Sequence, residues 1–105
     1  MEYTKQLICC IVNAGFSETV MEAARGAGAR GGTVIRARGT ANPQAERFFG
    51  IAIQPDKELV LIVTKTECKD DILTALYEKV GLETPGQGIA FSLPVDKVAG
   101  INFGD

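Results

Sequence analysis

The sequence predicts an α+β domain in which one antiparallel sheet is backed by two helices. The length of 105 residues allows one modest core, so we expect a single domain over residues 1–105. Apolar residues make up 46% of the chain and charged residues 23%, as is usual for globular proteins. The two halves also form a loose repeat, because the apolar runs 7–12 and 59–63 are each followed by a helical pattern, a glycine and a further strand.

The first half is predicted to form a strand, a helix and a second strand. Residues 7–12 are a short apolar run that ends at Asn13 and Gly15, which is typical of a buried strand. Ser17 is a suitable N-cap for a helix over 18–28, whose apolar face consists mainly of alanines. A run of glycines ends that helix, and residues 32–38 are expected to form the next strand.

The second half is predicted to repeat this order after an extra strand. Its elements are a polar loop over 39–47, a strand over 48–54, a turn over 55–57, a strand over 58–65, a helix over 67–80 and a last strand over 88–95. Thr66 is a possible cap of the helix and Gly81 ends it.

The two β-α-β units would form one antiparallel sheet backed by two helices. This arrangement is a ferredoxin-like βαββαβ sandwich. The helices would cover one face of the sheet and leave apolar residues on the other. The chain has nothing left to cover that second face, so we expect subunits to associate through it.

The arginines are unevenly distributed. The stretch 23–47 contains one acid, Glu46, and carries a net charge of +4, which leaves −6 for the rest of the chain. All the arginines lie there: Arg25, Arg30, Arg36, Arg38 and Arg47. Arginine binds anions in a bidentate manner, so this segment is either a local anion site or a solvated basic face.

Histidine is absent, which excludes Ser-His-Asp and Cys-His catalysis and an imidazole metal site. The cysteines are odd in number, and Cys9 and Cys10 are adjacent on a strand and point to opposite faces. A disulfide framework is therefore not expected, and we interpret Cys9, Cys10 and Cys68 as small hydrophobic residues of a cytoplasmic protein. No signal peptide or membrane span is predicted.

Two glycine clusters and one acidic pair have alternative interpretations. The G-x-G-x-x-G pattern at 26–31 follows a helix and opens a strand, which is the reverse of a dinucleotide-binding fingerprint. The turn T-P-G-Q-G at 84–88 is either an ordinary connection or a place where backbone N–H groups bind an anion. Asp70 and Asp71 are adjacent near a helix start and are interpreted as solvated charges rather than as an acid–base pair.

The sequence resembles the PII signal-transduction family over nearly its whole length. Residues 31–34 (GGTV) are similar to that family's G-x-T-V at the start of the second strand. Residues 86–91 (GQGIAF) are similar to its G-D-G-K-I-F turn, and residues 94–98 continue the match. Members are homotrimers of ferredoxin-like subunits that bind ATP or ADP between neighbours, and a loop after the second strand docks on enzymes or transporters.

The resemblance implies a nucleotide cleft made by two subunits. One subunit would contribute Ile11, Gly39, Thr40, Ala41, Ile62, Gly86, Gln87 and Gly88. The neighbouring subunit would approach the nucleotide with Gly31, Gly32 and Thr33.

The sequence departs from the family at positively charged positions. The turn has Gln87 and Ile89 where the family has an aspartate and a phosphate-binding lysine. Asp56 occupies another phosphate-contacting lysine position, and Gly100 and Asn102 replace arginines near the last strand.

The loop after the second strand is shorter than in the family and lacks the tyrosine that some members modify. Gln44 matches the family's loop glutamine only loosely, which leaves 2-oxoglutarate binding open. We hypothesise that Arg38 and Arg47 compensate for the missing charges and contact the phosphates, from this subunit or the next, so the anion-site interpretation of the arginines is favoured.

The function predicted from the sequence is that of a non-enzymatic sensor. A homotrimer would bind ATP, ADP or another adenine nucleotide and act on an unknown enzyme or membrane transporter through the 39–48 loop, with no cofactor, metal or nucleic acid required. The alternative is a trimeric module of the CutA type, similar in fold and linked to metal tolerance. A small ligand-binding enzyme that uses a carboxylate is a third alternative.

Overall fold

A computed structural model describes residues 2–40 and 55–101 and confirms the α+β, ferredoxin-like prediction. The elements are β1 (Lys5–Asn13), α1 (Ser17–Gly26), β2 (Thr33–Arg38), β3 (Asp56–Lys65), α2 (Lys69–Val80) and β4 (Ile89–Val95), with a 3₁₀ turn at Thr66–Cys68 before α2. The strand predicted over 48–54 lies outside the described residues.

The strands form one antiparallel sheet in the order β2-β3-β1-β4. The register places Cys10 beside Val60 of β3 and Ala90 of β4. Because side chains alternate between the two faces of a sheet, residues paired in this way point to the same side. The register therefore decides which residues of different strands meet.

One face of the sheet packs against both helices and forms the core. From the sheet it buries Ile8, Cys10, Val12, Val60 and Ile62. From the helices it buries Val20, Met21, Ala24, Ile72, Leu76 and Val80. The strand residues are spaced by two and the residues of α2 by four, which are the periods of a strand and of one helix face.

The other face of the sheet, called the open face below, carries apolar side chains that neither of the helices described, α1 and α2, covers. The rows that cross it are Ile35–Leu59–Ile11–Ile89, Thr33–Leu61–Cys9–Phe91 and Val63–Leu7–Leu93. The side chains of β4 on this face are exposed, by 50% at Ile89, 44% at Phe91 and 48% at Leu93. A contiguous apolar surface of this kind is typical of an interface between subunits.

The structure corrects the predicted ends of α1. Ser17 is the first helical residue, Phe16 occupies the N-cap position, and no side chain caps the helix. The preceding turn is held instead by the N–H of Gly15, which donates a 2.7 Å hydrogen bond to Oε1 of Glu58. The helix ends at Gly26 rather than 28, and the N–H of Gly28 closes the end on the carbonyl of Arg25.

The second half departs from the prediction at two element starts. Thr66 begins a 3₁₀ turn and does not cap α2; its hydroxyl donates to the carbonyl of Tyr3 at 2.6 Å and holds the N-terminal segment. β3 begins at Asp56, two residues before its predicted start, because Asp56 and Lys57 pair with the last residues of β2. Within residues 2–40 and 55–101, neither helix is long and apolar enough to cross a membrane.

Candidate functional site

Three polar side chains, two from neighbouring strands and one from the turn before β4, meet at one end of the open face. Asn13 ends β1 and pairs with Lys57 of β3, and Gln87 precedes β4 on the other side of β1. The Lys57 Nζ donates to Oδ1 of Asn13 at 2.6 Å, and the Asn13 Nδ2 lies 3.4 Å from Oε1 of Gln87. We call these residues, Lys57, Asn13 and Gln87, the polar row. The polar row borders the apolar rows of the open face.

Asn13 connects the polar row to the turn before β4. Its side-chain Nδ2 donates to the carbonyl of Pro85 at 3.0 Å, and its backbone N–H donates to the carbonyl of Gly86 at 2.8 Å. The side chain of Asn13 is therefore hydrogen-bonded at both its oxygen and its nitrogen, as a buried amide must be. This arrangement holds the turn against the end of β1.

The turn itself has an unusual backbone conformation at Gln87. Its φ of +46° lies in the left-handed region, which is uncommon for a residue with a side chain. The N–H of Gln87 donates to the carbonyl of Thr84 at 2.9 Å, and the N–H of Gly88 donates to the carbonyl of Val80 at 2.6 Å. A Cβ at position 88 would collide with that carbonyl of Val80, so the close approach to α2 requires glycine there.

Gly39 follows β2 and lies beside Lys57. Its N–H donates to the carbonyl of Pro55 at 2.7 Å. A Cβ on Gly39 would stand 3.0 Å from Cε of Lys57, so the backbone passes directly over the aliphatic part of that lysine. The first residue after β2 is thus in contact with the polar row.

The structure brings together several of the residues that the resemblance placed in the cleft. Gln87 is part of the polar row, Gly39, Gly86 and Gly88 lie next to it, and Ile11 is half-buried in the adjacent row of the open face. Thr40 is exposed directly after Gly39. The predicted site residues Ala41 and Arg47 lie outside the described residues.

Gly31, Gly32 and Thr33 do not reach the polar row of their own subunit. Thr33 pairs with Leu61, and the four residues from Leu61 to Lys57 span about 13 Å along the strand. These glycines line a separate shallow pocket with Arg30 and Ile101. The two halves of the predicted cleft are therefore apart in a single subunit.

Two other predicted site residues, Ile62 and Arg38, do not face the polar row of their own subunit. Ile62 is completely buried on the helix-facing side, so its side chain cannot line a cleft of the open face. Arg38 is exposed and pairs with Asp56, and the alternation of β2 puts its side chain on the face opposite to Lys57. In its own subunit Arg38 therefore faces away from the polar row.

The cysteines are free thiols in a buried setting. Burial raises the pKa of Cys10 to about 11 and also raises that of Cys9, because the thiolate is poorly solvated there. Cys68 is half-buried. In the part of the chain that the structure describes, no group of three cysteine or carboxylate side chains could hold a metal ion.

Asn13 and Lys57 were missed by sequence reasoning. Asn13 was interpreted only as the end of a strand, and Lys57 as part of a turn. They are 44 positions apart, and only the register of β1 against β3 brings them together. A polar residue at the end of each of two predicted neighbouring strands is the signal that could have suggested the pair.

The sequence matches the model of a known protein family. The family model "Nitrogen regulatory protein P-II" matches residues 5–104. Among curated proteins none matches the chain.

Solved structures with the same fold are also found. The PII protein of Arabidopsis thaliana, solved with citrate bound, is 23% identical, with a TM-score of 0.71, and the match covers 99% of this chain and 86% of that one. A putative PII-like signalling protein from Thermus thermophilus is 19% identical, with a TM-score of 0.66 and 90% of each chain covered. A functionally unknown protein from Pediococcus pentosaceus is 16% identical, with a TM-score of 0.66, over 95% of this chain and 100% of that one.

Proposed function

We propose that this chain, which belongs to the nitrogen regulatory protein P-II family, is a non-enzymatic signalling protein that senses an adenine nucleotide. In this proposal it forms a homotrimer, binds ATP or ADP in clefts between subunits, and regulates a partner enzyme or transporter through the 39–48 loop. The observation that carries the proposal is the division of the predicted cleft. Its two glycine segments lie apart in one subunit and would meet only when a second subunit is added.

The open face supports association of subunits. It presents three apolar rows, and its β4 side chains remain about half exposed in the single chain. Burying such a surface stabilises the associated state by roughly 25 cal/mol for each Å² removed from water, so contact with a partner would be favourable for these side chains. The proposed partner is another copy of this chain, whose residues 31–33 would then approach the polar row.

The chemistry of the polar row supports an anionic ligand. Lys57 supplies a positive charge at this place. The N–H groups of Gln87 and Gly88 already donate to the carbonyls of Thr84 and Val80, so the support comes from the charge of Lys57 and not from the backbone of the turn. The Arabidopsis PII protein was solved with citrate, a small polyanion. For this chain we propose the phosphates of a nucleotide as the anion.

Binding is tested most directly by thermal shift and calorimetry with ATP, ADP, AMP, adenosine, cyclic nucleotides and citrate. A ligand at a hundred times its dissociation constant stabilises the folded state by about 2.7 kcal/mol, which raises the melting temperature measurably. We expect ATP or ADP to raise it and adenosine to have a smaller effect. No response to any adenine nucleotide would refute the proposed ligand.

The non-enzymatic part of the proposal has a separate test. The protein is incubated with ATP, and released phosphate and ADP are quantified over hours. We expect no turnover above a heat-inactivated sample. Steady release of phosphate that scales with protein concentration would contradict the assignment as a sensor.

A further inference from the structure

We propose that a groove between α2 and β4, on the helix-covered side of the sheet, is a docking site for a partner protein. The partner would insert an apolar side chain into the groove and place basic residues on either side of it. The groove is on the side of the sheet opposite to the polar row and is lined without residues 39–48. The inference therefore goes beyond the proposed nucleotide sensing and does not depend on it.

The groove is open and apolar, with a volume of about 290 Å³. Its lining includes Leu73, Leu76, Tyr77 and Val80 of α2, Leu82 after it, and Ala90 of β4. A cavity of roughly 150 Å³ is enough to hold a benzene ring. The groove therefore has room for one or two large apolar side chains of a partner.

Two residues of the groove are the most exposed of the large apolar side chains in the described part of the chain. Tyr77 is 73% exposed and Leu82 is 68% exposed, whereas the β4 side chains of the open face are about half exposed. Subunits that associate through the open face would leave Tyr77 and Leu82 in water, because the groove is on the other side of the sheet. Apolar side chains that stay exposed beside a groove are typical of an interaction site.

The charges around the groove indicate a basic partner. Residues 66–83, which include α2 and both of its ends, contain five acids and two lysines and carry a net charge of −3. Asp70 lies three positions before Leu73 on the same helical stripe, at one end of the groove. Glu83 follows Leu82 at the other end, and both carboxylates are exposed. Lysine or arginine residues on both sides of an apolar anchor would complement them.

The lysines of α2 do not neutralise this side of the helix. Lys79 is two positions after Tyr77 and therefore about 200° around the helix, so that the buried stripe of Ile72, Leu76 and Val80 separates the two. Lys69 is adjacent to Asp70 in sequence, and adjacent helical positions do not face each other. The groove side of α2 is therefore negatively charged.

The outer edge of β4 offers the partner a main-chain contact. β4 is an edge strand, and no described strand pairs with its outer side. Edge strands are commonly protected by charged residues or by proline. The other edge, β2, has Arg36 and Arg38, but residues 89–93 contain neither charge nor proline before Pro94. An extended partner segment could therefore add to β4 and direct alternate side chains into the groove.

The test is a selection of random peptides, displayed on phage, against the immobilised full chain. We expect the selected peptides to carry leucine, isoleucine or phenylalanine flanked by lysine or arginine. Their binding as synthetic peptides, measured by calorimetry, should weaken as salt is added, because salt screens the flanking charges. Selection of acidic sequences, or of no sequence at all, would overturn the inference.

Matched variants locate the bound peptide. Leu82→Ser removes an exposed apolar side chain of the groove, and Val34→Ser removes an exposed one from β2. We expect Leu82→Ser to weaken binding of the selected peptide about tenfold or more and Val34→Ser to leave it unchanged. Glu83→Gln should weaken it roughly two- to fivefold, and Glu22→Gln on α1 should match the wild type. Equal effects of the two members of either pair would contradict docking in the groove.

Two measurements test other occupants of the groove. A lower oligomer mass of Leu82→Ser in sedimentation would show that a second copy of this chain fills the groove, and would overturn the inference. Binding of the wild type to phosphatidylglycerol vesicles, abolished by Leu82→Ser, would show a membrane surface instead and would also overturn it. Neither result bears on nucleotide binding, which the thermal-shift measurements test separately.

Discussion

Phe91 lies in the middle apolar row of the open face, on the edge strand β4, and replacing it with glutamate should abolish association of subunits. The side chain is 44% exposed in the single chain, which corresponds to about 90 Å² for a ring of roughly 200 Å². Burying this area contributes about 2 kcal/mol per subunit, or about 7 kcal/mol for three copies. A loss of that size weakens assembly by about five powers of ten, before the cost of desolvating the carboxylates is added.

The assay is sedimentation equilibrium over a range of protein concentrations. The wild type is expected at three times the subunit mass of 11.2 kDa, and Phe91→Glu at the mass of one subunit. Tyr77→Glu is the matched control, because Tyr77 is an aromatic residue with 73% exposure on α2, away from the open face. A trimeric Phe91→Glu, or a monomeric wild type, would refute the assignment of this face as the interface.

Three further predictions concern the turns and the thiols. Gly31→Ala should leave stability nearly unchanged but reduce nucleotide affinity, because a Cβ there meets nothing within 4 Å in its own subunit; Gly26→Ala, equally open, is the control that should leave affinity intact, and both are measured by denaturation and calorimetry. Asn13→Ala should lower the free energy of unfolding by about 1–3 kcal/mol in urea denaturation, since it leaves the carbonyl of Pro85 and the Lys57 ammonium without their partner; a change below about 0.5 kcal/mol would contradict a role in holding the turn. Because burial raises the pKa of Cys10 from 9.0 to about 11, the unfolded chain releases this proton first, so stability should fall between pH 9 and about 11; Cys10→Ala should show a smaller fall, and an unchanged pH profile would disprove the assignment.

The order of strands and helices could be predicted because it depends on local periodicity. The continuous apolar run over residues 7–12 indicates a buried strand, and the four-residue spacing of Ile72, Leu76 and Val80 indicates which side of α2 is buried. Element starts were less predictable, since they depend on distant partners. Glu58 holds the turn before α1, where Ser17 was expected to cap the helix, and β2 lengthens β3 to Asp56.

The candidate site could be predicted only where the sequence carries a local pattern. The glycine turn at 86–88 was found in this way. The polar row was not, because Lys57 and Asn13 become neighbours through the register of an antiparallel pair. The same register shows that Arg36 and Arg38, which share one face as their spacing predicts, are on the side away from Lys57.

The position of β1 in the sheet has a consequence for the order in which the chain can fold during synthesis. β1 comes first in the sequence, yet both of its neighbours, β3 and β4, belong to the second half. A nascent chain that ends before Asp56 can pair β1 with neither of them. β1 acquires its second partner strand, β4, only when Val95 has left the ribosome. We therefore expect the domain to fold late and as one unit.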